Sequence, residues 1–210
     1  MILRVCLLAI SMALVSPAAP DVAAVVRALE QRYNRAATLR AAFEQRHLVA
    51  GRPRRIESGI LVLRKPGRMR WEYERPAGKL FVCDGKWVWL WSPEAQQVER
   101  ARLKEAEDFR APLAFLLGRL DLRRTFSTFE AQQEGEEIRL SAWPRNDRLP
   151  FTRVDFWLGD GFEIRRLVIH QIDATAMEFR FDGEQLNLAI PESLFRFQPP
   201  PGVPVVEAGR

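Results

Sequence analysis

Arg68-Met69-Arg70-Trp71-Glu72-Tyr73-Glu74-Arg75-Pro76-Ala77-Gly78-Lys79-Leu80-Phe81-Val82-Cys83-Asp84-Gly85-Lys86-Trp87-Val88-Trp89-Leu90-Trp91 is the stretch that decides the fold. Met69, Trp71 and Tyr73 alternate with Arg68, Arg70, Glu72 and Glu74, the period of two expected of a strand with one apolar face. Pro76-Ala77-Gly78 breaks that run. A second apolar run then leads into Asp84-Gly85, a pair that suits a two-residue type I′ hairpin turn. On the returning run Trp87, Trp89 and Trp91 share one face, while Val88 and Leu90 make the other face apolar too. The hairpin therefore needs cover on both sides. Alternation groups Met69 with Trp71 and Tyr73, and the three tryptophans with one another, but leaves open whether the two faces coincide.

The same period extends outward in both directions. Upstream, Leu39, Ala41, Phe43, Gln45 and His47 alternate with charged residues, and Ile56, Ser58, Ile60 and Val62 follow. Breaks fall at Gly51-Arg52-Pro53 and Pro66-Gly67. Downstream, strand patterning covers 98–103, 124–131, 137–143, 152–158, 163–171 and 174–181, with a turn at Gly159-Asp160-Gly161. The count is ten or eleven antiparallel strands, and a sheet of that many strands must curl or close. Two helices interrupt the pattern. Val22, Val25, Val26, Leu29, Tyr33, Ala36 and Ala37 mark an amphipathic helix with Asp21 as its N-cap. Residues 112–118 form an almost wholly apolar helix closed by Gly118, fit for burial or for a lid over a cavity. A helical turn is expected around Pro191-Glu192-Ser193-Leu194-Phe195. The class is mainly β (α+β), in a single domain over 20–210.

Residues 1–19 read as a secretory signal peptide. One positive charge at Arg4, an apolar run of about 11 residues and a small-residue end with cleavage after Ala18 or Ala19 match that pattern, whereas a membrane span wants about 20 apolar residues. Cys6 lies too near the N-terminus to be a lipobox cysteine, so no lipid anchor is expected. Cys83 is then the only thiol of the mature chain, which leaves no internal disulfide. The expected product is a monomer of the periplasm. Lys+Arg number 32 against 27 Asp+Glu, giving a net charge of +5. In an exported protein, that basic balance points to anionic lipid or acidic partners rather than nucleic acid.

The same composition excludes most catalytic chemistry. There are two histidines, His47 and His170, and two cysteines, all scattered, with no G-x-S-x-G elbow, phosphate loop or C-x-x-C pair. No catalytic set, metal or cofactor is expected. Both histidines read as surface or internally satisfied residues, and Cys83 as an inert buried thiol. The informative feature is instead aromatic. Met69, Trp71, Tyr73, Trp87, Trp89 and Trp91 exceed what a filled core needs, and such side chains accept flexible hydrocarbon without fixed geometry. The expected lining of an apolar cavity is these six with Phe43, Leu113, Phe115 and Leu116.

Taken together, several segments resemble the periplasmic lipoprotein carrier family LolA. They are Leu39-Arg40-Ala41-Ala42-Phe43-Glu44-Gln45, the run from Gly59 through Lys65-Pro66 to Tyr73, the Val82–Trp87 turn, Pro112-Leu113-Ala114-Phe115-Leu116-Leu117, and Phe195-Arg196-Phe197 with the proline-rich tail to Val203. The resemblance implies an unclosed, strongly curved antiparallel barrel with a helical lid and a cavity for acyl chains. It also implies passage of lipoproteins from an inner-membrane ATP-binding-cassette transporter to an outer-membrane acceptor of the LolB type. The alternative within the same fold is a binder of another amphiphile or a sensor of lipoprotein mislocalisation; such sensors usually carry a second C-terminal domain. A lipid hydrolase is a third class, and the chain lacks the residues that would motivate it. One departure stands out. In the family an Arg directly before the proline holds the lid, and here that position is Lys65, flanked by Arg64 and Arg68 as substitutes. The lid position that should meet it is Tyr33. A lysine is a single mobile donor where an arginine is a fork.

Overall fold

The computed structural model describes residues 19–103, 120–147 and 149–207. The expected signal segment, up to residue 18, and the apolar helix at 112–118 lie outside the described residues. Helix α1 (Val22–Arg35) opens the described chain. A meander of six strands follows: β1 (Thr38–Val49), β2 (Arg52–Arg64), β3 (Arg68–Arg75), β4 (Leu80–Asp84), β5 (Trp87–Ser92) and β6 (Gln97–Arg102). A single helical turn, α2 (Leu122–Thr125), precedes a second meander of β7 (Phe126–Glu134), β8 (Glu137–Pro144), β9 (Phe151–Leu158), β10 (Ile164–Gln171) and β11 (Thr175–Leu186). A 3₁₀ turn at Glu192–Phe195 and a short β12 (Val205–Glu207) end it.

The twelve strands of the described residues form one sheet in the order β12-β6-β5-β4-β3-β2-β1-β11-β10-β9-β8-β7. The two meanders join where β1 pairs with β11, from Leu39↔Leu186 to Val49↔Thr175. Among the described residues β7 and β12 are the two edges of the sheet, which leaves the barrel unclosed. Every pairing is antiparallel except β12 with β6, where Val205 to Glu207 run parallel to Val98 to Arg100. Sequence periodicity carries no mark of that last strand, because three residues are too few to show a period.

The curl is visible in the core. Trp71 on β3 and Phe179 on β11 bring their rings to 5.6 Å, although three strand spacings, about 14 Å in a flat sheet, separate their strands. Phe43 packs edge-on against Trp71 and Tyr73 at 4.6 and 5.1 Å. Gly59 sits between them in the register, opposite both Phe43 and Tyr73. A Cβ there would lie 2.0 Å from the Glu72 carbonyl oxygen, so the backbones of β2 and β3 approach this closely only because the residue is glycine.

α1 lies on the concave face, burying Val25, Val26, Leu29 and Tyr33. Asp21 caps it, its carboxylate accepting from the Ala23 N–H at 2.9 Å. The helix ends at Arg35, two residues short of the apolar spacing, because Ala36 turns extended to start β1. Asn34 ties the helix to the chain entering α2 through a reciprocal pair: its side chain donates to the Leu120 carbonyl and accepts from the Leu120 N–H. Glu30 accepts from the Leu122 N–H.

Candidate functional site

The concave face is where the predicted lining residues separate. Register places Met69 opposite Cys83 and Trp71 opposite Phe81, and Cys83 in turn opposite Val88. These residues and Leu61, Leu63, Phe43 and Tyr73 share the inner face under α1. Met69 and Trp71 are 0% and 2% exposed, and the Trp71 indole N–H points at the Met69 sulfur, 2.8 Å away. Four predicted lining residues, Phe43, Met69, Trp71 and Tyr73, therefore meet in one apolar interior.

Trp87, Trp89 and Trp91 do not join them. Trp89 pairs with Val82 and Trp91 with Leu80, one residue out of phase with Cys83 and Phe81, so the three indoles stand on the convex face. The cover that the hairpin requires there comes from two sources. Arg100 lies over Trp87 and Trp89 and Arg102 over Trp87, and Phe197 of the C-terminal segment packs 5.7 Å from Trp89. The turn itself also differs from the type I′ expectation. Its centre falls on Gly85-Lys86, with Gly85 taking the positive φ of 96°. Asp84 flanks it, its carboxylate accepting from the Lys86 and Trp87 N–H groups at 2.8 and 2.7 Å. Leu113, Phe115 and Leu116, the remaining predicted lining residues, lie outside the described residues.

Lys65 follows β2 and is the first residue past its end. Its N–H donates to the Ala37 carbonyl at 2.9 Å, and its ammonium donates to the Tyr33 carbonyl at 2.5 Å. Partial burial pushes the Lys65 pKa below the ordinary lysine value. The two residues singled out in the sequence thus touch. Arg64 and Arg68 do not reach α1. They are cross-strand partners on the convex face, where Arg64 donates to the Ile190 carbonyl at 3.0 Å and Arg68 pairs with Glu192 at 2.7 Å. Alternation sends neighbouring side chains to opposite faces, so Lys65 holds the helix while its two flanking arginines hold the C-terminal segment.

Tyr33 is held at its other end as well. Its hydroxyl donates to Glu184 at 2.7 Å and accepts from the Ile164 N–H at 2.9 Å. Glu184 also pairs with Arg32 at 2.5 Å, and Arg32 reaches the Gly161 carbonyl. Burial, with the Glu184 charge adding to it, pushes the Tyr33 phenol well above its ordinary range. Tyr33 therefore bridges the end of β2 to β10 and β11 across the helix. Two small apolar spaces flank it, one lined by Leu39, Ala41, Leu61, Ile164 and Phe181, the other by Ala36, Leu39, Leu63 and the stem of Lys65. Sequence reading missed Glu184 and Arg32. An isolated carboxylate near the end of a long strand carries no local signal of a partner about 150 residues away.

The inner face turns polar toward the β1–β2 hairpin. Glu57, fully buried, accepts both Lys79 (2.8 and 2.9 Å) and Arg55 (2.7 Å), and the Tyr73 hydroxyl donates to Gln45 at 3.3 Å. The apolar interior is thus bounded by ion pairs at one end and by the Lys65–Tyr33 contact at the other. Cys83 is buried, with its thiol donating to the Gly67 carbonyl at 3.0 Å and its pKa raised by burial. His170 sits 2.6 Å from the buried Asp155, which also accepts from Ser141, and His47 contacts Gln45, so both histidines have partners within the fold.

A curved, unclosed sheet with a helix latched over an apolar concave face defines a hydrophobic-ligand carrier fold. The model of one family, described as outer membrane lipoprotein carrier protein LolA, matches residues 34–198, and the chain belongs to that family. An outer-membrane lipoprotein carrier protein of Chromobacterium violaceum is 34% identical over 193 residues, 90% of each chain. One of Nitrosomonas europaea is 30% identical over 207 residues, 98% of this chain and 96% of its own. An uncharacterised conserved protein of Thermus thermophilus shares the fold, with a TM-score of 0.55 at 12% identity over 88% of this chain and 98% of its own.

Proposed function

We propose that this protein is a periplasmic carrier that takes lipoproteins from an ATP-binding-cassette transporter of the inner membrane, shields their acyl chains in its apolar interior, and passes them to an outer-membrane acceptor of the LolB type. Its work is binding and release, not catalysis. The observation that carries this reading is the Lys65–Tyr33 contact: a helix whose apolar face fills the concave side of the sheet is fastened to the end of β2 by one cationic hydrogen bond.

Magnitudes support an exchange of helix for lipid. Burying Val25, Val26 and Leu29 contributes about 1.5–3 kcal/mol each, and an acyl chain of about 15 methylene groups brings about 12 kcal/mol at ~0.8 kcal/mol per group. The two are of the same order, so lipid can replace the helix without either state being irreversible. A hydrogen bond of about 1.5–3 kcal/mol is then enough to bias the balance.

The test is to isolate the protein from the periplasm with a photo-crosslinking residue in place of Trp71 and to identify what it captures by mass spectrometry. Acyl-modified peptides from lipoprotein N-termini are expected. Capture of only unacylated polypeptide would overturn the reading.

A further inference from the structure

The end of the sheet opposite the latch presents a surface that the carrier reading does not use. There the β1–β2 hairpin runs past its neighbour: β2 begins at Arg52, but its pairing with β3 starts only at Ser58. The β10–β11 turn lies beside this hairpin, because Val49 pairs with both Arg52 and Thr175. Val49, Ile56 and Ile172 are 42%, 49% and 66% exposed, three of the six large exposed hydrophobics among the described residues; Val49 and Ile172 stand at the two adjacent turns and Ile56 lies on β2, opposite Arg46, three residue pairs behind Val49. Arg52 and Arg54 stand among them, both exposed, with no carboxylate in ion-pair distance among the described residues. Of the local acids, Glu57 is paired with Arg55 and Lys79, whereas Asp173, hydrogen-bonded by the N–H and hydroxyl of Thr175, keeps its charge, so that Arg52 and Arg54 outnumber it two to one at the tip.

We propose that this tip is a docking surface for an anionic phospholipid bilayer, with Ile172 and Val49 entering the headgroup boundary, Ile56 following them on β2, and Arg52 and Arg54 pairing with lipid phosphates. Exposed aliphatics beside unpaired cations are the combination that an anionic interface rewards, apolar burial and charge attraction acting together. Protection of the open β2 edge from strand pairing accounts for Pro53 and Arg54. It does not account for the aliphatics, which on an edge would promote the association that protection prevents. β2 separates the tip from Lys65 by its 13 residues, about 40 Å, so docking leaves the latch free to meet a protein acceptor. The surface lies outside the apolar interior and does not depend on how cargo is held.

The experiment is flotation of the mature chain with vesicles of phosphatidylcholine alone or containing phosphatidylglycerol. Binding to the anionic vesicles is expected to be at least about tenfold tighter, since each arginine near such a surface is worth about fivefold. Arg52→Glu with Arg54→Glu abolishes that gain. Ile172→Ser weakens binding severalfold while leaving its salt dependence unchanged. A control pair removes the same charge from exposed positions elsewhere, Arg27→Glu with Arg196→Glu, and keeps most of the binding. Equal binding to both vesicle types overturns the proposal. So does equal loss in the control, which would assign the attraction to net charge, and so does capture of an acidic protein without any vesicle binding.

Discussion

The Lys65 ammonium lies 2.5 Å from the carbonyl oxygen of Tyr33, so the first residue beyond one strand caps the last turn of the helix covering the sheet. Carbonyls of a final helical turn lack partners within the helix and carry the negative end of its dipole. A cation placed there stabilises both the turn and its position. The Ala36 N–H shares the same oxygen at 3.3 Å, which makes Lys65 the charged one of its two donors.

Replacing that donor should open the lid. Lys65→Leu removes a charged hydrogen bond worth about 1.5–3 kcal/mol, a shift of roughly 10- to 100-fold toward the open state. Loading should survive while release to acceptor membranes slows, because the closed helix no longer competes as well with lipid. Lys65→Arg should speed release by bracing the helix more firmly. Transfer of a labelled lipoprotein from purified carrier to acceptor membranes measures this; equal rates for wild type and both variants would remove Lys65 from the mechanism.

Glu184 provides an independent fastening. It accepts from the Tyr33 hydroxyl and pairs with Arg32, and its side chain is nearly buried. Glu184→Ala leaves the Tyr33 hydroxyl without its acceptor and Arg32 without its anion, at a cost of about 1–3 kcal/mol. Amide exchange in α1 should accelerate more than in β9 or β10. A double-mutant cycle with Lys65→Leu, read by urea unfolding, should show coupling above about 0.5 kcal/mol, since both contacts hold one residue. Strict additivity would mean that the two ends of Tyr33 act separately.

Most of the fold was legible because period-two alternation is strong and most of the turns between strands carry Gly or Pro, the β10–β11 turn at Ile172-Asp173-Ala174 being an exception. The expected strands coincide with β1 to β11 within a few residues, and Asp21 caps the helix as read. What alternation leaves undetermined is relative phase between neighbouring strands. Met69 and Trp89 each belong to a clean stripe, yet they lie on opposite faces because the β3–β4 register sets Met69 against Cys83, while the two-residue turn that follows sets Cys83 against Val88 and Trp89 against Val82. The Lys65–Tyr33 contact was legible through the family resemblance alone. The roles of Arg64, Arg68 and Glu184 depend on segments more than 120 residues away in sequence, and local pattern holds no trace of those.

That division of the tryptophans has an optical consequence. Trp71 faces the interior, and Trp87, Trp89 and Trp91 face outward. A bromine-labelled long acyl chain should quench the fluorescence of wild type and of a Trp89→Phe variant alike. Trp71→Phe should lose most of the response while retaining the fold, since the ring is replaced by a smaller one in the same apolar site. Quenching that persists in Trp71→Phe and vanishes in Trp89→Phe would place the lipid on the convex face.

The final prediction concerns alkaline pH. The chain has two tyrosines, Tyr33 and Tyr73, and burial raises the pKa of both, with the Glu184 charge adding at Tyr33 and the Glu57 charge at Tyr73. In the unfolded chain a tyrosine ionises near pH 10. Above that pH the folded state binds more protons than the unfolded one, so stability falls as pH rises. The contribution of these two hydroxyls is fully present below about pH 10 and is lost progressively as pH climbs above it toward the folded values. Tyrosinate absorbance should therefore be absent at pH 10, where free phenols are half ionised, and should appear in step with the loss of near-ultraviolet circular dichroism. Tyr33→Phe should reduce this alkaline loss of stability, because one of the two linked protons is gone. A smooth titration centred near pH 10 in the folded protein would show that the hydroxyl of Tyr33 is open to solvent and that its bond to Glu184 does not hold the helix.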